Sequence, residues 1–205
     1  VTASRDDIAL AVKKGAFNRA FKKPVKTAPD LADQVEQLLA KRILDQLGMV
    51  KRAGDLILGF EQVREEVRKA APAFLIEASD GSGDQRSKVL ALVRGLHTPE
   101  LDETGKPVGN LELPPVVGCF LASELGMALG RDRVIHACVK YGRIAHAWRG
   151  ELERLSGFRH VWLPGWQPSS ATGQKFSDDT QARVSGGNSP GTPISTELDA
   201  TEVSE

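Results

Sequence analysis

The chain has 205 residues, 40% of them hydrophobic and 26% charged, and its 27 basic residues balance 27 acidic ones. That composition suits a globular chain of one or two domains and excludes a collagen-like or wholly disordered one. No run approaches the roughly 18 apolar residues a transmembrane helix needs, and the opening Val1-Thr2-Ala3-Ser4-Arg5-Asp6 lacks the apolar stretch of a signal peptide, so a cytoplasmic protein is expected.

Residues 7–23 predict one helix, with Ile8, Val12, Ala16 and Ala20 on a stripe and lysines beside it. Pro24 is expected to end it. Within it, Lys13, Lys14, Arg19, Lys22 and Lys23 join Phe17 and Phe21: five cations and two rings in eleven residues, with no acid. Residues 1–28 carry seven Lys or Arg against two Asp, so the local field is positive although the chain is neutral. Such a run fits a surface for polyphosphate, and it also fits a solvated helix face.

A second helix is predicted to start near Pro29-Asp30, because proline suits a first turn and an acid suits the positive helix end. Leu31, Val35, Leu38, Leu39, Leu44 and Leu47 form its apolar side, with a break expected before Gly48. Residues 24–38 read as the join between a basic head (1–38) and a body (39–160). Phe60 to Lys69 predicts a helix, Phe74-Leu75-Ile76 a buried strand, and Gln85 to Leu96 a helix with Val89, Leu92, Val93 and Leu96 facing in. Residues 97–114 read as an exposed loop. Val116 to Phe120 is strand-like, Ser123 to Leu129 a helix stopped by Gly130, Arg133 to Val139 a strand, and Ile144 to Leu155 a last helix. This alternation predicts an α/β protein built as a three-layer α/β/α sandwich.

From Gly165 onward Ser, Thr, Gly and Pro make up 20 of the last 41 residues, and residues 161–205 hold six acids against two bases. Such a segment buries too little to offset its chain entropy, so a disordered acidic tail is expected, its root docked by Trp162 and Trp166. Cys119 and Cys138 sit in apolar runs and read as buried free thiols in a reducing compartment.

Several motifs fail. Gly81-Ser82-Gly83 lacks the spacing of a phosphate loop, and Asp80 and Asp84 flank it with negative charge, so it reads as a helix-capping turn. His97, His136, His146 and His160 lack metal-ligand spacing, and His136 reads as a core residue. No nucleophile elbow or glycine-rich cofactor loop is present. The expectation is therefore a non-enzyme with no cofactor or metal.

Two resemblances follow. The run Lys13-Lys14-Gly15-Ala16-Phe17-Asn18-Arg19-Ala20-Phe21-Lys22 resembles the C-terminal part of the YlxR family of small bacterial RNA-binding proteins. Family members carry an upstream half ending in a Gly-Arg-Gly-aromatic strand. The chain opens on Val1, so a fragment or a misplaced start is expected, with a head that folds poorly unless the body helps. Residues 39 to about 157 are similar to YlxQ proteins and, more distantly, to kink-turn-binding ribosomal proteins of archaea. The matching pieces are Leu47-Gly48-Met49-Val50-Lys51-Arg52-Ala53-Gly54, Gly59-Phe60-Glu61-Gln62-Val63, Glu77-Ala78-Ser79-Asp80 and Glu124-Leu125-Gly126-Met127-Ala128-Leu129-Gly130. The fusion resembles a form seen in alphaproteobacteria. The resemblance implies an α/β/α sandwich and a role beside transcription elongation and termination factors, RNA processing or the ribosome.

The kink-turn family reads bent RNA with Gly-x-Asn-Glu-x-Thr-Lys at a helix start. Aligned from Gly59, this chain has Glu61 for Asn, Gln62 for Glu, Arg64 for Thr and Glu65 for Lys. Two anions near RNA phosphates weaken binding, while Arg64 and Arg68 offset part of that. Glu61, Glu65 and Arg68 also fit a plain charged helix face.

The expected mode of binding has three parts. Lys13, Lys14, Arg19, Lys22 and Lys23 sit on phosphates, and Phe17 and Phe21 either stack on bases or pack on the body. Lys51 and Arg52 extend the basic surface. The body reads RNA shape through Gly59, Phe60, Glu61, Gln62 and Arg64, the Ser79-Asp80 turn and the loop before Ser123, with Arg86 and Lys88 at its flank. Head and rim are expected to form one surface. The rival expectation is an adapter that has lost RNA binding and contacts transcription or ribosome-associated proteins.

Overall fold

The computed structural model describes residues 4–98, 102–104 and 113–168. Among these, seven helices and a four-stranded mixed sheet make an α/β protein. The predicted loop at 97–114 lies largely outside the described residues, as does the predicted tail from 169 onward.

The head does not form a single helix. Helix α1 (Arg5–Lys13) begins at Ser4, whose hydroxyl accepts the Asp7 N–H while the Asp7 carboxylate accepts the Ser4 N–H. Gly15 then adopts a left-handed φ of 60°, and a short α2 (Ala16–Phe21) ends at Lys22, also left-handed at φ 53°. The chain therefore turns at Gly15 and stops before Pro24, so the stripe from Ile8 to Ala20 is not continuous. Left-handed backbone costs a glycine nothing and a lysine about 1 kcal/mol.

Helix α3 (Leu31–Arg52) starts at Asp30 as predicted but runs through Gly48 without a break. A Cβ at Gly48 would lie 3.8 Å from the Ala128 carbonyl, an ordinary contact, so the packing there does not require glycine. The expected head–body boundary at residue 38 falls inside this helix. Ile43, Leu47 and Val50 are fully buried along it, each contributing roughly 1.5–3 kcal/mol.

Strand β1 (Leu56–Leu58) leads into α4 (Phe60–Lys69), then β2 (Phe74–Glu77), α5 (Gly83–His97), β3 (Val116–Val117), α6 (Ala122–Leu129), β4 (His136–Val139) and α7 (Arg143–Ser156). The sheet order is β1-β4-β2-β3, with β4 antiparallel to β1 and β2, and β2 parallel to β3. Strand β1 was not foreseen. The strands read over Val116–Phe120 and Arg133–Val139 are shorter than predicted: Gly118 pairs with Val161 instead of the sheet, and Val134 bonds Ala122 beside α6.

Alternation along the strands divides the core in two. Phe74, Ile76, Val117, Ala137 and Val139 pack with residues of α3, α6 and α7. Leu75, Val116 and Cys138 pack with Val63 and Val67 of α4 and Val89 and Val93 of α5. Leu96, expected to face in, is half exposed. Residues 161–168, expected to open the tail, instead run beside β3: Leu163 N–H donates to Val116 O, Val116 N–H to Trp166 O, and Trp166 is buried under Arg94.

Cys138 is buried and Cys119 half-buried, and both are free. Burial pushes the Cys119 thiol up to about 11 and the Cys138 thiol up to about 12. The thiolate is the reactive form, so alkylation of the native protein at pH 8 is expected to run on the order of 100-fold slower than in denaturant. Mass spectrometry of iodoacetamide-treated protein checks it. The sign for stability follows: the protonated thiols contribute fully below pH 9 and that contribution is lost as pH rises toward 11–12.

Candidate nucleic-acid interface

The head is anchored at one place. Arg5 donates its backbone N–H to Gly157 O (3.0 Å) and its guanidinium bonds Asp33 and Glu36 at the start of α3. These bonds raise the Arg5 pKa above its ordinary value. Asn18 Oδ1 accepts the Val25 N–H, closing the turn after α2. Lys13, Lys14, Arg19, Lys22 and Lys23 are all exposed. None forms an ion pair among the described residues. Arg19 reaches only the Lys14 carbonyl, at 3.4 Å. Phe21 is 61% exposed and Phe17 half-buried. The head is thus a knob of uncompensated positive charge with an open aromatic ring.

The rim of the sheet is different. Three helix starts meet there, at Phe60, Gly83 and Ala122. Those of α4 and α5, with the segment from Arg131 to His136, border an open groove of about 580 Å³ lined by Gly59, Phe60, Asp80, Gln85, Arg133 and His136. Gly59 has φ 105°, a backbone conformation that favours glycine at this helix start, and a Cβ there would also displace the movable end of Gln62. His136 Nδ1 donates to Glu77 Oε2 at 2.7 Å, and Nε2 faces Gln85 Oε1 at 3.2 Å. Glu77 and His136 are both almost fully buried, so this is a core pair, with the Gln85 side chain lying against its second nitrogen.

Most rim cations are already paired. Arg64 bonds Glu61 at 3.0 Å and lies 5.2 Å over the Phe60 ring. Arg133 pairs with Asp80 (3.1 Å), which also accepts the Ala122 N–H (2.7 Å). Arg86 donates to Ala78 O, and Lys88 pairs with Asp84 at 2.8 Å. The expected flanking pair, Arg86 and Lys88, is therefore a carbonyl clamp and an i,i+4 salt bridge. The rim acids that looked likely to repel phosphate serve as internal partners.

Head and rim do not form the single surface expected. Helix α4, which carries Arg64, packs with α5, whereas α1 packs on α3, on the other face of the sheet. Both lie toward the same end: Glu36 is 3.8 Å from Arg159, whose guanidinium covers the Phe120 ring just past β3. Lys51 and Arg52 are at the opposite end of α3, roughly 23 Å along the axis from Glu36 at 1.5 Å per residue. Lys51 donates to Leu129 O at 2.6 Å, closing the C-terminus of α6. These two residues do not extend the head's basic surface.

One feature escaped the sequence altogether. Beside Gly157, a second open groove of about 530 Å³ is lined by Ser156, Arg159, His160, Trp162, Pro164 and Gln167. Its only advance signal was Trp162, read as a docking ring. Among the described residues, no helix is long and apolar enough to cross a membrane, and no group of three His, Cys, Asp or Glu is placed to hold a metal ion.

No family model matches the chain, and no curated protein matches it. Among solved structures, it is similar to the structure of a protein with unknown function from Bacillus halodurans C, at 22% identity and a TM-score of 0.41, over 53% of this chain and 94% of that one.

Proposed function

We propose that this chain binds RNA and holds it mainly through its head. The observation that carries the reading is the set of five exposed head cations with no carboxylate partner among the described residues, beside an exposed phenylalanine. Unpaired surface cations bind phosphate with release of counterions and without first breaking a salt bridge. The reading keeps the YlxR-like head (1–38) joined to a YlxQ-like body (39–160) of the three-layer, kink-turn-binding ribosomal-protein type, with an acidic tail after it. It places the chain in the cytoplasm, in transcription termination or elongation, RNA processing or ribosome-related work, and gives it no catalytic role and no cofactor.

The rim contributes less than the resemblance implies, because Arg64, Arg133 and Arg86 are committed to Glu61, Asp80 and Ala78. The same commitment favours the adapter as a second reading, in which the rim has given up RNA. Fluorescence anisotropy with a kinked hairpin, a straight hairpin and an unpaired oligonucleotide tests both. Binding to all three within about tenfold supports a head-led mode. Absence of binding to any RNA, with partner capture that survives nuclease, rejects it in favour of the adapter. Arg64→Ala is expected to change affinity for the three RNAs by less than about threefold, since it breaks a surface pair worth ~0.2–1 kcal/mol.

A further inference from the structure

The groove beside Gly157 has the parts of a single-strand site. Trp162 is half-buried, its backbone bridged to Val117 and its side chain packed against the core. Arg159 lies 5.0 Å over Phe120 with 27% of its side chain exposed; its Nε and Nη2 are buried without a hydrogen-bond partner, so a phosphate in the groove meets the exposed edge of the guanidinium. Its ion-pair partner, Glu36, is 3.8 Å away, beyond hydrogen-bond distance, and shares its charge with Arg5. His160 is exposed next to it. Gly157, at the groove's edge, accepts the backbone N–H of Arg5 and so fixes the head next door. A ring held against the core, a partly exposed guanidinium and an adjoining cationic knob form a stacking platform beside a positive track.

Resting on the RNA reading above, we propose that the groove lined by Arg159, His160 and Trp162 takes an unpaired stretch of RNA, one base stacked on Trp162 and a neighbouring phosphate on Arg159, with the strand continuing past Gly157 onto the head lysines. A paired stem cannot supply the base, since both faces of a stacked base are already covered. The site therefore selects single-stranded RNA, whereas the head alone binds any RNA.

The test uses the full chain, a labelled twelve-residue oligouridine and a fully paired hairpin. Trp148 is fully buried and Trp166 nearly so, which makes Trp162 the tryptophan that a stacked base can reach. Oligouridine is expected to quench tryptophan fluorescence, and the hairpin to leave it unchanged. Trp162→Leu is expected to weaken oligouridine about tenfold and the hairpin less than twofold, while Trp162→Phe, which keeps a stacking ring, stays within about threefold of the native chain. His160→Ala is expected to weaken oligouridine slightly and to leave the hairpin unchanged. Saturation by oligouridine without quenching overturns the proposal even if Trp162→Leu fails to fold. So does an equal loss on both probes. In either case binding that still depends on the head lysines leaves the RNA reading standing, whereas a native chain that binds neither probe ends both.

Discussion

Trp148→Ala is expected to lower stability by about 3–5 kcal/mol, the largest effect of any single substitution considered for the body. The side chain is fully buried, meets Phe74 edge-on at 5.2 Å, and donates its indole N–H to Ile43 O at 3.1 Å. It thereby ties α7 to α3 and both to the sheet. Alanine removes the ring, leaves a cavity and strips a buried carbonyl of its partner, adding roughly 1–3 kcal/mol unless water enters. Trp148→Phe keeps much of the volume and loses the donor, so it separates the two costs. For a chain of this size each kcal/mol lowers the melting temperature by about 2–4 °C, so alanine should lower it by at least ~6 °C and phenylalanine by less. Thermal unfolding followed by circular dichroism measures both. A drop below 2 °C for alanine would contradict the packing described.

The elements easiest to read from sequence were those that bury one face. Phe60–Lys69 was placed to the residue, because Val63 and Val67 lie four apart on an otherwise charged helix. The buried run Phe74 to Ile76 was read correctly for a similar reason: apolar residues on both faces mean burial on both faces. Strand β1 was missed because three residues are too few to show a period, and its position is fixed by pairing with β4, some 80 residues later. The break at Gly15 was missed because the apolar stripe runs on across it; only the left-handed backbone reveals the turn.

The candidate site divides in the same way. That the head is cationic was legible, since no local acid is available to neutralise it. What the other cations do was legible only where the partner is near in sequence: Arg64 with Glu61 and Lys88 with Asp84 follow i,i+3 and i,i+4 spacing. Asp80 with Arg133, Lys51 with Leu129 and Arg159 with Glu36 join residues 53 to 123 positions apart, and each depends on the fold. Whether head and rim share a face is likewise a property of how α1 and α4 pack. The second groove combines the end of α7 with a segment whose composition resembled a tail, which concealed it.

Raising salt from 50 to 200 mM is expected to cut RNA affinity about 100- to 500-fold, if five head cations each neutralise one phosphate. The reasoning is stoichiometric. Each neutralised phosphate releases condensed counterions, giving a slope of about −0.7 per contact on single strands and −0.9 on duplex, hence roughly −3.5 to −4.5 for five. Replacing Lys13, Lys14, Lys22 and Lys23 with alanine removes four contacts and leaves Arg19 as the head's, so the slope should become shallower by about 2.8 to 3.6. The fold should tolerate the change, since these side chains are exposed and form no ion pair among the described residues, and surface substitutions of this kind usually cost within ~0.5 kcal/mol. Alanine at Lys22 inherits the left-handed backbone that lysine already bears. The body serves as the internal control: Lys51→Ala removes a cation as well, but one bound to Leu129 O at the far end of α3, so the slope should not move while the melting temperature falls. Affinity measured by anisotropy across a salt series gives all three slopes. A slope that stays near its native value in the four-lysine variant would place the phosphates elsewhere, and a slope that falls equally on losing Lys51 would mean that the two ends of α3 act on one RNA after all.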